Sequence, residues 1–425
     1  MSRSTLTAWE PDDPTFWESR GRRIARRNMW TSVFAEHIGF SVWSLWSVLV
    51  LFMTAKTGFA LTAGDKFLLV CLVTAVGSAV RPGYGLAVTR FGGRTWTTLS
   101  AFLLLVPVIA ATIVLGYPHA PLWAFLLCAA VSGLGGGSFA ASTTNINFFF
   151  PEREKGRALG INAGGGNLGV ASVQLLGLLV IAAAGVGHPR LLTMLFIPLL
   201  LISASLAYAR MDNLPGMRTA GSIYRMAARD RHCWTISLLY IGTFGSFIGY
   251  SFAFGLVLQN DFGRTPLQAA ALTFTGPLLG SLARPFGGWL ADRRGPARIT
   301  LASFAGLAAG TAVVIAASVA HSLPLFCAGF IALFTLSGLG NGATYAMIPG
   351  PYAAAANAAI AAGADPGAAR LDARRRTGAV IAFAGTVGGL GGVAINLAFR
   401  QSYMQAIPRA RRSSGSSPAT RCAPR

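Results

Sequence analysis

Two arginines stand where a membrane-crossing helix tolerates them least. Arg81 and Arg284 each interrupt an apolar run, and each lies eight residues before a short basic loop. Eight residues of helix is about 12 Å, close to the middle of a hydrocarbon core ~30 Å thick. An arginine at that depth costs at least ~2.5–3.5 kcal/mol. No Asp or Glu is expected in the central part of any span to neutralise the pair. Two guanidiniums without carboxylates call for an anion between them, and their planar forks match a planar oxyanion. The alternative is that each pairs with helix carbonyls or snorkels toward the inner surface.

Asn167 is the second candidate. It sits in Gly164-Gly165-Gly166-Asn167-Leu168-Gly169, and its amide can donate to an oxyanion. Gly164, Gly166 and Gly169 satisfy the dinucleotide-binding pattern letter for letter. No strand precedes them and the run is apolar, so that reading is set aside; small residues also let membrane helices pack closely. Glu36 and His37 are expected near the inner end of the first span, solvated at the interface or paired with nearby arginines. The five cysteines and five histidines are scattered, with no metal or disulfide spacing. No nucleophile–base pair or phosphate loop stands out. Neither an enzyme nor a cofactor or metal is expected.

The elements that must position these residues follow from composition. The chain has 425 residues, 53% hydrophobic and 12% charged, with a mean hydropathy of +0.55. Soluble proteins carry about 25% charged residues, so this chain is expected to be an all-α polytopic membrane protein. At about 20 residues per span, eleven spans are expected near 30–54, 66–88, 95–117, 122–148, 158–184, 190–209, 233–258, 267–290, 298–319, 323–348 and 377–398. No signal peptide is expected before the first. The stretch from Phe16 to Arg27 reads as an interfacial lead-in to it. Of 35 Lys and Arg, 23 fall in the N-terminal segment and in loops on its side, and 4 in the opposite loops. That asymmetry places the N-terminus inside. The net charge of +21 is thus topogenic, and no nucleic-acid partner is expected.

The chain also repeats itself. Arg81-Pro82-Gly83 through Arg90-Phe91-Gly92 matches Arg284-Pro285-Phe286 through Arg293-Arg294-Gly295 at an offset of 203. Ser132–Gly137 matches Ser337–Gly342 at 205, and Gly165–Ala171 matches Gly388–Ala394 at 223. The larger offset is assigned to an Ala-rich loop from Gly350 to Arg376. Parallel repeats about an axis along the membrane normal are a transporter architecture, with the substrate site between the halves.

Gly85-x-x-x-Thr89-Arg90-x-Gly92-x-Arg94 and Gly288-x-x-x-Asp292-Arg293-x-Gly295 resemble the GxxxDRxGR loop signature of the major facilitators, with Thr89 in place of the usual Asp. The run Gly160–Val170 resembles the nitrate signature of the nitrate/nitrite porter family, and Gly385–Val393, with Gly388, Gly389 and Gly391, its second copy. Ala141–Pro151 and Gly340-Asn341-Gly342 also fit. The resemblance covers about 30–400. It implies that Arg81 and Arg284 bind nitrate or nitrite. It carries a binding Asn to Asn167, a Tyr–Phe pair one turn apart to Tyr240 and Phe244, and a Phe on the fourth span to Phe139, so that rings would face a flat anion. Each ring taken alone also reads as packing. The family contains nitrate/nitrite exchangers and proton symporters, and the lack of a central carboxylate favours exchange here.

The organisation expected is a major facilitator fold of two pseudo-symmetric six-helix halves. Residues 1–29 form an N-terminal segment, 30–209 six spans, 210–232 a central cytoplasmic loop, 233–399 five spans, and 400–425 a basic disordered tail. The counterpart of the sixth span would begin at 413, where the sequence is Ser-rich, so the twelfth helix is expected to be missing. The function expected is transport of nitrate and nitrite across the inner membrane by a monomer embedded in the bilayer. The alternatives are a major facilitator for another small anion, or a non-transporting remnant.

Overall fold

Hydrocarbon offers no partners to backbone N–H and C=O groups, so apolar runs of about 20 residues satisfy them within helices. A computed structural model of the protein describes residues 6, 8–214, 217 and 221–414. The first half contains α1 (Pro14–Phe52), α2 (Ala63–Phe91), α3 (Gly93–Val114), α4 (Leu122–Phe149), α5 (Glu152–Ala184) and α6 (Pro189–Arg210). A short α7 (Gly221–Ala227) leads to the second half. There α8 (Arg231–Asn260), α9 (Pro266–Thr273), α10 (Thr275–Arg294), α11 (Pro296–Val319), α12 (Leu323–Ala346), α13 (Gly350–Ala361) and α14 (Pro366–Ser414) follow.

Ten helices among the described residues are long and apolar enough to cross a membrane. The remaining expected span, 267–290, is the pair α9 and α10, joined at Phe274. Arg284 and its proline and glycine neighbours make that segment less apolar than the others. The outward faces are apolar, as at Leu301 and Val319, which are 72% and 78% exposed. A bilayer covers such surfaces.

The repeat is visible in the packing. Helix α2 lies along α14, and α5 lies along α10. Exchanging the halves turns one contact into the other, so the two interfaces are pseudo-symmetric copies. Both loop signatures stop their helices with a glycine at φ +90°, Gly92 and Gly295, a conformation that side chains disfavour. In each half the serine–glycine motif lets helices touch backbone to backbone. A Cβ on Gly135 would lie 2.3 Å from the Gly39 carbonyl oxygen, and one on Gly338 2.1 Å from that of Gly280.

Three expectations change. The Ala-rich stretch from Gly350 is helical as α13, in keeping with alanine's helix propensity. The segment from 400 is not disordered at its start, because α14 continues to Ser414; residues 415–425 lie outside the described residues. The lead-in to the first span is continuous with it. Asp13 caps the first turn, and Trp17 is buried, with its Nε1 donating to Glu154 Oε1 at 2.8 Å.

Candidate functional site

Arg81 begins the inner part of α2, just after the helix is interrupted at Val80 and beside Pro82. Arg284 precedes Pro285 within α10. Both side chains are buried, 0% and 1% exposed. The Phe139 ring lies under both guanidiniums, with centroid distances of 5.2 Å to Arg81 and 5.4 Å to Arg284. The sum of those distances bounds their separation, so the sequence repeat does bring the two charges together. Arg81 also stacks on Trp43 and Phe244, and Arg284 on Tyr345.

Ring contacts occupy the faces of the guanidiniums and leave their edges for hydrogen bonds. Arg81 Nη1 donates to the Gly385 carbonyl of the other half at 2.7 Å. This is the carbonyl pairing considered above, but it uses one donor: Arg81 Nε and Nη2 have no partner. Arg284 Nη2 donates to the Tyr240 hydroxyl at 2.9 Å, and its Nη1 has no partner. Neither arginine makes an ion pair within 4.0 Å of a carboxylate among the described residues. Buried polar groups are normally paired, so these unused donors mark a place for an acceptor.

Asn167 is fully buried, and neither its Nδ2 nor its Oδ1 has a partner. Tyr240 precedes a π-helical turn, Ile241–Gly245, that contains Phe244, and their rings stack at 5.1 Å and 12°. Phe244 in turn stacks on Phe139 at 6.1 Å and 22°. Single π-turns often occur at functional sites, and this one sets Tyr240 toward Arg284 and Phe244 toward Arg81.

The signature glycines serve close packing. A Cβ on Gly166 would lie 1.9 Å from Glu36 Oε1, and one on Gly169 2.2 Å from the His37 carbonyl, so both hold α5 against α1. Gly164 faces Pro285 of α10. In the second copy Gly388 faces Tyr240, Gly389 faces Ser78, and Gly391 packs on Ile241.

Glu36 departs from expectation. It is fully buried and pairs with no arginine. Its Oε2 accepts hydrogen bonds from Ser142 Oγ and from Asn162 Nδ2. Helix α1 starts at Pro14, so residue 36 lies well inside the bundle. A carboxylate does therefore reach the protein interior.

Sequence reasoning also missed Trp43, Tyr345 and Asn341. The last is buried with an unpartnered amide, like Asn167. A usable signal existed for two of them: Asn341 interrupts a glycine motif, and Tyr345 follows one helical turn later. Nothing distinguished Trp43 from an ordinary core aromatic.

Contacts join the two halves on both faces of this centre. On the face carrying the N-terminal segment, Arg374 of α14 bonds Asp12 at 2.6 Å and the Phe148 carbonyl at 3.1 Å, and Asn147 donates to the Arg374 carbonyl. On the opposite face Phe67 stacks on Phe399 and Tyr403. Contacts on both faces around unpaired cationic donors suit enclosure of a small anion.

The major facilitator superfamily model matches residues 29–395. The chain is 36% identical to the nitrate/nitrite transporter NarU of Salmonella typhimurium, over 94% of this chain and 90% of that protein. It is 32% identical to the probable nitrate/nitrite antiporter NarK2 of Thermus thermophilus, over 81% and 82%. The human organic anion transporter MFSD10 has the same fold, with a TM-score of 0.56 at 13% identity over 90% of this chain and 98% of that one. The chain belongs to the major facilitator superfamily and, within it, to the nitrate/nitrite porter family.

Proposed function

We propose that this protein carries nitrate and nitrite across the inner membrane by alternating access, binding the anion between Arg81 and Arg284. The observation that carries the reading is the pair itself: two buried guanidiniums at repeat-related positions, stacked on shared rings, with edge donors unused. An anion there would offset the cost of burying the two like charges and bridge the halves. Asn167 would contribute a neutral donor, and Tyr240 would hold Arg284 in orientation. Phe139 and Phe244 would border the flat anion. Their centroid spacing of 6.1 Å is a little under the roughly 7 Å that two ring contacts of about 3.5 Å need, so the rings would part slightly on binding.

The N-terminus would lie in the cytoplasm, as the basic loops on its side favour. The protein would act as a monomer and as a transporter rather than an enzyme, and would bind no nucleic acid. Similarity to proteins named nitrate/nitrite transporters supports nitrate and nitrite over larger organic or phosphorylated acids, which would want more cationic or hydroxyl groups than this centre offers. The test is uptake of labelled nitrate by proteoliposomes holding the full chain, with and without nitrite inside. Uptake that unlabelled nitrite competes away is the expected result. Failure to move nitrate or nitrite under any gradient would overturn the reading.

A further inference from the structure

The Glu36 carboxyl of α1 is not part of the anion site, yet it packs against the helix that carries Asn167. Asn162 of α5 donates to its Oε2 at 2.6 Å, and Ser142 of α4 donates to the same oxygen. Gly166, next to Asn167, lacks the side chain that would collide with Oε1, and that oxygen has no hydrogen-bond partner. Three positions of one helical stretch, 162, 166 and 167, thus serve the carboxyl and the anion site together.

On its other side Glu36 borders a cavity of about 10 Å³ within the first half, about the room one water molecule occupies by that measure. Five serines (Ser32, Ser100, Ser138, Ser142 and Ser203) and Thr97 help to line it. Ser203 Oγ is buried without a partner. A cavity so rich in hydroxyls, beside a carboxyl, is fit to hold water and pass a proton. None of the groups that α3, α4, α5 and α6 set around Glu36 titrates. His37, the next residue on α1, turns instead to the Gly165 carbonyl, 3.0 Å from its Nδ1.

We propose that Glu36 is the proton-carrying group of the transport cycle, so that nitrate moves together with a proton. This rests on the reading that the chain transports nitrate. With the site empty, the positive field of Arg81 and Arg284 opposes the arrival of a further proton nearby. An anion seated between them cancels their field, and a proton then binds Glu36 at lower cost. By linkage a proton on Glu36 favours the anion equally. The step balances: Glu36 takes a proton from water on the side where nitrate enters, becomes a neutral carboxylic acid, and returns the proton to water where nitrate leaves. No other bond is made or broken. Nitrate with one proton carries no net charge, so the membrane potential does not oppose entry of the anion.

The experiment uses the full chain in proteoliposomes and compares two assays. Exchange of labelled for unlabelled nitrate at equal pH tests the parent reading. Net uptake driven by an acid exterior, with an internal pH dye, tests this one. The expected result is gradient-driven uptake with about one proton per anion, and its loss in E36Q while exchange persists. Exchange without any response to the pH gradient in the unmodified protein would overturn the proton proposal and leave nitrate transport intact. Absence of both activities would overturn the parent reading and this one with it. Gradient-driven uptake by E36Q equal to the unmodified protein would also overturn it. Should E36Q fail to fold, nitrate binding to the unmodified protein in weakly buffered detergent decides the matter. Uptake of protons on binding supports the proposal, and its absence refutes it.

Discussion

Replacing Arg284 with Lys separates charge from shape at the centre of the site. Lysine keeps the positive charge, so the long-range field on Arg81 and Glu36 is largely retained. It loses the planar fork. In the structure that fork donates Nη2 to Tyr240 at 2.9 Å, leaves Nη1 free, and lies over Phe139 and Tyr345 at 5.4 and 5.3 Å. An ammonium can still sit over a ring, so the stacking is lost only in part. The firm loss is one edge hydrogen bond to the anion, about 1.5–3 kcal/mol for a bond to a charged group. At about 1.4 kcal/mol per tenfold, nitrate affinity should fall about 10- to 150-fold. Arg81→Lys should behave alike, because the repeat sets the two residues on either side of one ligand. It should also loosen the join between halves, since the 2.7 Å bond to the Gly385 carbonyl goes with the fork. The assay is calorimetric nitrate binding by protein that elutes as a single species, with proteoliposome uptake in parallel. Unchanged nitrate affinity in both variants would remove the claim that these guanidinium edges hold the anion.

Other outcomes follow from the same geometry. Asn167→Ala should weaken nitrate binding by about 1.5–3 kcal/mol if its amide meets the anion; an unchanged dissociation constant in folded protein would make Asn167 a packing residue. Arg374→Ala removes the ties to Asp12 and the Phe148 carbonyl and should shift the population toward a state open on that face. Faster thiol labelling of a cysteine placed at Gly378, in a background without the native cysteines, would report it, and an unchanged rate would count against the closure assigned to Arg374. Gly338→Ala puts a methyl group 2.1 Å from the Gly280 carbonyl oxygen, an overpacking expected to cost about 1–3 kcal/mol. Thermal unfolding in detergent at the temperature of the unmodified protein would show that the two helices part freely there.

What the sequence determined by itself are the features governed by local rules. A span must be apolar for about 20 residues, so ten of the eleven expected spans return as apolar helices near their expected places. Repeated motifs survive as symmetric contacts because each half packs by the same small residues. Arg81 and Arg284 were legible for the same reason: a charge deep in an apolar run is costly wherever the helix goes, and the cost asks for a partner.

What only the tertiary structure decided concerns which surfaces meet. Residue 36 looked interfacial when counted from the start of the apolar run, but α1 begins far earlier, and α3, α4, α5 and α6 close around it. Burial of Glu36 is thus a property of five helices at once, and no window of one helix contains it. The rings are similar. Trp43 and Tyr345 lie on other helices than the arginines they meet, and they become guanidinium partners only when those helices pack within each half. The glycines of the signature read as close-packing residues; contact shows which side chains they admit, Glu36 at Gly166 and Tyr240 at Gly388. Hydropathy reports the cost of leaving water for lipid, residue by residue. It does not report which polar side chain will find which partner once helices distant in sequence have packed, and that choice makes the site.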